Sequence, residues 1–513
     1  MLKNNKKILL INPKPGIDWR YRKDDPVVGP PLGLLLIGSS LKNAGYDVKI
    51  VDGAAEVDYL ATINNELNQS PLWVGVSVMT PQIQSAILIS DLIKKVDETI
   101  PIVWGGVHPT LYPRQTLSDN SVDILVVGQG EHSAVEISNS IANAGLLSFV
   151  KGIGFKSDRE LIFTQEREFN QDLDSLPPLD YDLLNVERYI NRSFAEWGKD
   201  KVRTLMVFSG AGCPYKCKFC INSIIYNSHY AFKSAEKILN EIEYLIKRHG
   251  VTHIDFRDEN FFANKKRIEE LVEGIAERGL KFTWEANCRA NYFNNTYITD
   301  ALLGQIEASG CVRIGIGAES GADRVLQMIE KGISTKDILR SAAMSRKVKI
   351  TFGYSFMMGI PGESTEEMLA TAKFILSMIK INRRNYFIGP QIFRPYPGSQ
   401  LYAECLKYGL VEPDNLRDWK CGYFRSDVIY DTDIIAKIPW IENIGFVRKL
   451  HFYSKLASLF TRKGNLLDKY MRMFISQIAA LRIKYKFFKM PLEFYLFSSF
   501  YKLSLTRSSD KEV

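Results

Sequence analysis

The sequence is poor in cysteine and histidine, with 7 cysteines and 6 histidines among 513 residues. Three cysteines fall close together and the rest are scattered, so they do not form the even framework of a secreted disulfide-rich protein. We therefore expect a reducing compartment, the cytoplasm. Long apolar runs are also missing, since no stretch approaches the roughly 18 uninterrupted apolar residues of a membrane span. The N-terminus, MLKNNKKILLIN, has a basic start and a short apolar run, which predicts a first buried strand and not an export signal.

What remains is the composition of an ordinary folded protein, with 46% hydrophobic and 24% charged residues. The length predicts two or three domains, because a single hydrophobic core rarely grows this large. The distribution of strand and helix patterns predicts four regions: a first α/β domain at 1–145, a connector at 146–200, a second α/β domain at 201–425 and a basic helical domain at 426–513.

Residues 7–143 alternate short β-branched apolar runs with amphipathic stretches, the pattern of a doubly wound parallel sheet. The runs at 7–12, 47–51, 73–78, 101–106 and 123–128 predict five strands. Ligands of such sheets bind beyond the carboxyl ends of the strands. The loops there hold glycines, hydroxyls and amides that suit a large ligand, although each glycine alone is also explained by a tight turn. The candidate binding residues are Asn12, Ser77, Thr80, Pro81, Gly105, Gly106, His108, Thr110, Gly128, Gly130 and Glu131.

A second series of strand and helix patterns follows from residue 203 to about 402. Six of its apolar runs predict an open, partial (β/α) barrel with a site at the carboxyl ends of its strands. Between the two series, a predicted hairpin at 153–164 and a Pro-Pro pair among acidic residues indicate a connector. The six runs lie at 204–209, 252–256, 282–287, 312–320, 350–359 and 386–393.

The strongest local signal is a cysteine motif after the first strand of this second series. The segment SGAGCPYKCKFCINS places Cys213, Cys217 and Cys220 at the spacing C-x3-C-x2-C. Thiolates are preferred ligands of iron–sulfur clusters, and three of them would leave one iron open to another ligand. A zinc site would require four protein ligands, and three incidental core cysteines fit poorly with the glycines and proline around them. The other cysteines lack cluster-like spacing, so we predict no second cluster from Cys288, Cys311, Cys405 and Cys421.

This motif after the first strand of a partial barrel resembles the radical S-adenosylmethionine (SAM) superfamily. The resemblance implies that Cys213, Cys217 and Cys220 hold a 4Fe–4S cluster whose open iron binds SAM. One electron from the reduced cluster then cleaves SAM into methionine and a 5′-deoxyadenosyl radical, and a flavodoxin or ferredoxin is an expected electron donor.

The resemblance also implies which later residues contact SAM, although a surface ion pair would explain each charged one equally well. The loop aromatic would pack near the adenine, two acids after the second strand would bind the amino group, and an acid and a serine after the fourth would bind the ribose. Two arginines would bind the carboxylate, and a glycine-rich segment would lie beside adenine and methionine. In that order the residues are Phe219; Asp258 and Glu259; Glu319 and Ser320; Arg289 and Arg394; and Gly359.

The doubly wound half ahead of such a barrel resembles the cobalamin-binding subclass of this superfamily, which includes class B radical SAM methyltransferases and the anaerobic cyclase of chlorophyll biosynthesis. Many cobalamin domains supply a histidine to cobalt from an Asp-x-His-x-x-Gly loop after the first strand. Here that loop reads NPKPGIDWRY and has no histidine. The resemblance therefore implies cobalamin without a histidine from that loop, which suits methyl transfer. We expect His108 to cap a turn or meet the corrin edge rather than bind cobalt.

Three functions stay open on the sequence alone. The first is a methyltransferase that abstracts hydrogen from an unactivated carbon with the deoxyadenosyl radical and transfers a methyl group from methylcobalamin. The second is a radical cyclisation or oxidative rearrangement with the same cofactors. The third is a non-catalytic cobalamin-type binding module. For either enzyme we expect a small-molecule or lipid-like substrate.

The charge of the chain is concentrated at its C-terminal end. Residues 441–513 hold 14 Lys and Arg against 5 Asp and Glu, whereas the net charge of the whole chain is +8. Basic residues alternate there with aromatic and aliphatic ones, in a pattern that predicts helices interrupted at Pro491. Such a segment is either a helical cap over the barrel or a basic amphipathic surface for anionic lipid or a lipid-like substrate. The interleaved apolar residues argue against nucleic acid binding.

Overall fold

The computed structural model describes residues 6–14, 29–158, 160–190, 202–419, 438–458 and 466–495. Its sheets have seven, six and two strands. The predicted α/β class, with a doubly wound sheet, an open barrel and C-terminal helices, is confirmed. The domain boundaries stay predictions, and Cys421 lies outside the described residues.

The N-terminal sheet has the strand order β2-β1-β3-β4-β5-β6-β7, in which the first five strands are parallel. The predicted hairpin forms, and its first strand pairs antiparallel with β5, so the sheet extends beyond the five predicted strands. Alternation of side chains predicts a hairpin but does not specify which strand it joins. The strands are β1 Lys7–Asn12, β2 Asp47–Asp52, β3 Trp73–Ser77, β4 Ile102–Gly105, β5 Ile124–Val126, β6 Ile153–Ser157 and β7 Glu160–Phe163.

Helices cover both faces of this sheet, which explains why strands such as β1 are apolar on both sides: Ile8 through Ile11 are all buried. Because the strand order reverses between β1 and β3, the loops after these two strands diverge and leave a crevice at the carboxyl edge. The helices are α1 Leu32–Asn43, α2 Tyr59–Leu67, α3 Ile83–Val96, α4 Val107–Leu111, α5 Pro113–Ser118 and α6 Glu131–Ala142.

The six-stranded sheet is parallel throughout and runs in chain order from one edge to the other, so it curves as an open barrel. A separate two-stranded hairpin, β9 with β10, interrupts the chain after the first barrel strand. The strands are β8 Thr204–Val207, β9 Gly210–Gly212, β10 Tyr230–Phe232, β11 His253–Phe256, β12 Thr283–Cys288, β13 Cys311–Glu319, β14 Thr351–Met358 and β15 Tyr386–Ile392.

Helices of the barrel begin and end where the sequence signals them. In the helix Ala235–His249, which lies between β10 and β11, the Ser234 side chain accepts a hydrogen bond from the Lys237 backbone N–H. Gly250 ends this helix in the left-handed region at φ 61°. The helices are α7 Glu187–Ile190, α8 Asn222–Ile225, α9 Ala235–His249, α10 Lys265–Glu277, α11 Asp300–Ala308, α12 Asp323–Met328, α13 Thr335–Met344, α14 Thr365–Ile381 and α15 Gln400–Lys407.

The segment after α15 returns to the N-terminal domain. Arg417 makes two hydrogen bonds to the Asp119 carboxylate, at 2.8 and 2.9 Å. Gln84 donates to the backbone carbonyls of Arg417 and Trp419, both at 3.0 Å. The Trp419 ring is buried in the apolar core of the N-terminal sheet together with Leu416. This segment therefore fastens the barrel to the N-terminal domain.

Two C-terminal helices, α16 Ile444–Ser458 and α17 Leu466–Lys484, pack together and against α14. Val447, Leu450 and Tyr453 of α16 are buried in this contact. The predicted interruption at Pro491 is confirmed: α17 ends at Lys484, residues 485–491 are not helical, and helix resumes at residue 492. In the described residues, no helix combines the length and apolar character needed to traverse a bilayer.

Candidate active site

The three cysteines lie in the loop that the β9–β10 hairpin closes. Gly212, which precedes the first of them, has φ +81°, and a Cβ atom there would lie 2.3 Å from the backbone carbonyl oxygen of His229. Only glycine fits this position, because both the conformation and the close approach exclude a side chain. The chain thereby turns sharply from the barrel strand into the segment that holds Cys213, Cys217 and Cys220.

Arg289, at the carboxyl end of β12, lies over this loop. Its Nη1 is 3.8 Å from Cys217 Sγ, and its guanidinium carbon is 3.5 Å from the centroid of the Tyr215 ring. Its Nη2 donates to the backbone carbonyl of Lys331. A planar cation stacked on an aromatic ring and placed beside a thiol compensates the negative charge that a thiolate ligand carries. In this structure Arg289 contacts the cysteine loop and the Lys331 carbonyl, and the role in SAM carboxylate binding that the sequence resemblance implies stays a prediction.

Asn260 and two half-buried thiols, Cys213 and Cys220, form the other side of the loop. Asn260 Nδ2 lies 3.9 Å from Cys213 Sγ and donates to the Tyr292 hydroxyl at 2.9 Å. Burial raises the pKa of the Cys213 and Cys220 thiols. A metal or a nearby cation is therefore needed to hold them as thiolates. Asn260 was missed by the sequence analysis because a lone asparagine after a strand has no distinguishing pattern.

Lys331 and Glu319 form an ion pair beside Phe219. Lys331 Nζ is 2.8 Å from Glu319 Oε1 and 5.3 Å from the centroid of the Phe219 ring. Glu319 has φ 61°, uncommon for a residue other than glycine, and it follows a bulge between Gly317 and Glu319 in the pairing of β13 with β14. The bulge turns the Glu319 carboxylate toward the cysteine loop. Lys331 was also missed, since nothing marks it among the lysines of the sequence.

The neighbours Asp258 and Glu259 have opposite environments. Asp258 is buried, accepts hydrogen bonds from the Ser209 N–H (2.6 Å) and hydroxyl (2.7 Å), and lies 3.7 Å from Arg267. Its carboxylate therefore contacts Ser209 and Arg267 in this structure, and its predicted contact with the SAM amino group stays a prediction. The Glu259 side chain lines a cavity that protein surrounds. Desolvation in this position raises the pKa of its carboxyl group to about 7.

Three further residues that were predicted to contact SAM lie in different surroundings. Ser320 is buried with its Oγ 3.0 Å from Thr371 Oγ1, so it packs against α14, and its predicted contact with the SAM ribose stays a prediction. Gly359 has φ +78°, and its carbonyl accepts a hydrogen bond from Trp440 Nε1 at 2.7 Å, which ties it to the C-terminal region. Arg394 is half-buried just after β15.

A cavity of about 1120 Å³ separates the carboxyl edge of the N-terminal sheet from the first barrel strand. This volume slightly exceeds the roughly 300–1,000 Å³ typical of ligand sites, so the cavity suits a large ligand. The barrel contributes Met206, Phe208, Gly210 and Ala211. From the N-terminal domain, the predicted residues that line the cavity are Asn12, Ser77, Pro81, Gly105, Gly106, Thr110, Gly128, Gly130 and Glu131.

Glycine gives the N-terminal wall of this cavity its shape. Gly106 has φ +99°, and a Cβ atom there would lie 3.0 Å from the backbone nitrogen of Val78, so a side chain is excluded. At Gly105 the nearest atom to a Cβ would be 3.6 Å away, on Val126, so a side chain has room with respect to the protein. Thr110 Oγ1 accepts a hydrogen bond from the Gly128 backbone N–H at 3.0 Å and holds two of these loops together.

His108 and Thr80 lie behind this wall. The His108 ring is fully buried, with its Nδ1 3.3 Å from Thr80 Oγ1 and its centroid 5.3 Å from that of Tyr112 and 5.1 Å from that of Trp419. Burial lowers the pKa of His108 to about 3, so the imidazole is neutral. Helix α4 starts at Val107 and directs the His108 ring into this aromatic cluster. The expectation that His108 caps a turn or meets the corrin edge stays a prediction.

The site fits the groups that the resemblance implies. In the described residues, no three Cys, His, Asp or Glu side chains converge on the position of a single metal ion. Each thiolate of a cubane binds a different iron, so a three-cysteine loop with two nearby cations, Arg289 and Lys331, suits a cluster. The glycine-lined cavity, with backbone close to its surface, suits a broad planar ligand such as a corrin. Of the histidine-free loop after β1, the structure describes residues 12–14.

Comparison with known protein families agrees with this division of the chain. The model of the radical SAM superfamily matches residues 207–375, which include the cysteine loop and the barrel strands β11 to β14. The model of the B12 binding domain matches residues 25–138, which include the glycine-rich loops of the cavity wall.

Among curated proteins, an uncharacterized methyltransferase of Pyrococcus horikoshii is 28% identical over 432 residues, 82% of this chain and 90% of that protein. The anaerobic magnesium-protoporphyrin IX monomethyl ester cyclase of Cereibacter sphaeroides is also 28% identical, over 73% of this chain and 60% of its own length.

Among solved structures, the radical SAM methyltransferase TsrM of Kitasatospora setae, with cobalamin and a 4Fe–4S cluster bound, has a TM-score of 0.66 at 15% identity and covers 93% of this chain and 99% of that one. The fold and the two family matches agree. The chain therefore carries a B12 binding domain at residues 25–138 and a radical SAM domain at residues 207–375, and its cofactors are a 4Fe–4S cluster, SAM and cobalamin.

Proposed function

We propose that this enzyme is a methyltransferase that methylates an unactivated carbon of a small-molecule or lipid-like substrate. The observation that carries the proposal is the shared cavity, in which the glycine edge of the N-terminal domain faces the barrel strand that leads into the cysteine loop. A substrate in this space would lie between the two cofactor sites. The similarity to the methyltransferase of Pyrococcus horikoshii supports the same reaction class.

In this proposal Cys213, Cys217 and Cys220 bind three irons of the cluster. Held there, the cluster would supply the electron for the reductive cleavage of SAM. Arg289 neutralises negative charge at Cys217 and, by donating to the Lys331 carbonyl, links the loops after β12 and α12. This link fixes the distance between the cysteine loop and the Lys331–Glu319 pair, where the ribose hydroxyls would bind.

The opposite wall of the cavity would hold cobalamin, which would supply the methyl group. Gly105, Gly106, Gly128 and Gly130 leave room for its ring, and Asn12 presents its side chain at the carboxyl end of β1. Gln82 holds Asn12 in place by donating to its Oδ1 at 2.9 Å. No step in this proposal uses His108, in agreement with its position behind the wall.

Glu259 is the candidate for proton transfer within the cavity. With a pKa of about 7, its carboxyl group exchanges a proton near neutral pH. Tyr226 lines the same cavity, and burial, together with a smaller effect of the Glu259 charge, raises the pKa of its phenol, which therefore stays protonated. The pair can hold a polar group of the substrate without a permanent charge.

A second candidate is radical ring closure or oxidative rearrangement, favoured by the similarity to the anaerobic cyclase. The two reactions use the same cofactors but differ in the mass of the product. The reconstituted enzyme would be incubated with SAM, dithionite and extracts that contain candidate substrates. A product heavier by one CH2 supports methylation, whereas loss of hydrogen without added carbon contradicts it. The non-catalytic binding module is set aside, because the chain is a radical SAM enzyme.

The electron donor would be a flavodoxin or ferredoxin, as in the sequence prediction. Titration of the reconstituted enzyme with each reduced protein, in place of dithionite, would measure whether deoxyadenosine forms. No deoxyadenosine with either protein, but formation with dithionite, would reject this choice of donor and leave the reaction class intact.

A further inference from the structure

Helix α17 presents an apolar stripe to solvent. Tyr470, Phe474 and Leu481 lie on one face of the helix, since they are spaced by about one and two turns. Their exposed fractions are 59%, 64% and 55%, which is unusual for large apolar side chains that are neighbours on one face. The opposite face of α17 is the one that packs on α16, through Ala479 and Ile483.

The exposed apolar surface continues past the end of α17. There Arg482 fixes the shape of the turn, because it donates to the Glu493 carboxylate at 2.6 and 2.8 Å and to the Phe487 carbonyl at 3.1 Å. Five large apolar side chains along this turn each have an exposed fraction above one half: Tyr485, Phe487, Met490, Leu492 and Tyr495. We call the whole surface the C-terminal apolar face: Tyr470, Phe474, Leu481, Tyr485, Phe487, Met490, Leu492 and Tyr495.

Positive charge lies beside this face and is poorly compensated. The acidic residue between positions 470 and 495, Glu493, is paired with Arg482. Lys484, Lys486 and Lys489 are exposed in the turn. Lys486 reaches Glu366 of α14 at 3.4 Å, but both side chains are more than half exposed, so this pair contributes little.

We propose that the C-terminal apolar face and these three lysines bind the surface of an anionic lipid bilayer. Aromatic and aliphatic side chains beside lysines match the boundary between acyl chains and anionic headgroups. A second copy of the chain is a poorer partner, since a symmetric contact would bring two sets of lysines together. The proposal does not depend on the methyltransferase assignment. It places the enzyme where a lipid-like substrate would be found.

Co-sedimentation of the full chain with vesicles tests this surface. The protein should bind vesicles that contain phosphatidylglycerol, bind phosphatidylcholine vesicles weakly, and dissociate as salt is added. Each lysine near an anionic surface contributes enough that Lys484→Gln, Lys486→Gln and Lys489→Gln together should lower partitioning on the order of a hundredfold. Phe474→Ser with Leu481→Ser should lower it on both vesicle types.

The control variants substitute exposed residues that lie outside the C-terminal apolar face. Val57→Ser with Phe149→Ser removes side chains that are 80% and 82% exposed, and Lys336→Gln removes an exposed lysine of the barrel. These variants should bind vesicles like the unchanged protein. The substituted side chains of the C-terminal face are exposed, so the melting temperature should stay the same and report that each variant is folded.

Three results would overturn the proposal. One is that the unchanged protein does not sediment with phosphatidylglycerol vesicles, and another is that the control variants lose binding as much as the C-terminal ones. The third is a dimer, measured by light scattering, that Phe474→Ser with Leu481→Ser dissociates, because it would assign the face to a second copy.

Discussion

The cysteine loop and the glycine wall of the cavity shape the same region of the enzyme by different means. In the loop, side chains make the site: Arg289 contacts Cys217, and Lys331 pairs with Glu319. In the wall, the backbone makes the site, and Gly106 excludes any side chain. We therefore expect the loop to lose its cluster when a side chain is removed, and the wall to lose cobalamin when a side chain is added.

Removal of one thiol should have the largest effect. Cys213→Ala, Cys217→Ala or Cys220→Ala should each remove the visible absorbance of the reconstituted cluster and reduce deoxyadenosine formation to background, since a cubane with fewer thiolates is not retained. Iron analysis and chromatography of the products measure both effects.

The matched control for the thiols is Cys405→Ala, which removes a buried cysteine of α15 far along the chain from the loop. This variant should keep its iron and its deoxyadenosine formation, at a small cost in stability. If it lost iron as fully as the loop variants, the assignment of the cluster to the loop would be wrong.

An added side chain in the wall should have the next largest effect. At Gly105 a Cβ has room with respect to the protein, so Gly105→Leu should fold but project into the cavity. Overpacking by a leucine should reduce cobalamin retention by about tenfold or more. The cobalt and iron contents of the same sample measure this, because iron should be unchanged.

The control for the wall is Gly304→Ala in α11, where a Cβ meets no atom within 4 Å. It should retain both metals and gain slightly in stability, because alanine favours helix over glycine. Full cobalamin retention by Gly105→Leu would argue that the corrin does not lie against this loop.

A smaller effect should come from proton binding at Glu259, which lies in the cavity between loop and wall. Its folded pKa of about 7 exceeds the unfolded value near 4.3, so the folded state binds more protons between these pH values. The free energy of unfolding should therefore fall as pH rises through this window. Glu259→Gln should be more stable than the unchanged protein at pH 8 and similar at pH 4.5, as measured by urea denaturation without cofactors. Equal differences at both pH values would contradict the raised pKa.

The smallest effect should follow from His108→Phe. The ring is neutral and buried among Tyr112 and Trp419, so phenylalanine replaces it with loss of the contact to Thr80, at a cost of about 1 kcal/mol in the free energy of unfolding. Cobalt content and the cobalamin absorbance spectrum should not change. A changed spectrum would show that the histidine reaches the cofactor.

The strands of both domains and the cysteine loop could be predicted from the sequence, because apolar alternation and ligand spacing are local. The directions of side chains in loops could not. Asp258 and Glu259 are adjacent in the sequence. The Asp258 carboxylate contacts Ser209 and Arg267, whereas Glu259 faces the cavity, and no residue pattern predicts this difference.

Long-range partners were missed for a related reason. Lys331 becomes part of the site only because a bulge in β13 turns Glu319 toward it, and a bulge is set by pairing with β14. The fate of His108 likewise depends on Trp419, more than 300 residues away in the chain. Such contacts require the tertiary fold.

Product analysis of the reconstituted enzyme tests the central claim, that one cavity joins a radical-generating loop to a methyl-carrying wall. With SAM, reductant, cobalamin and substrate, mass spectrometry should detect both deoxyadenosine and S-adenosylhomocysteine, because the two cofactors consume SAM in different ways. Gly105→Leu should lose S-adenosylhomocysteine and keep some deoxyadenosine. Deoxyadenosine without any S-adenosylhomocysteine from the unchanged enzyme would contradict methyl transfer.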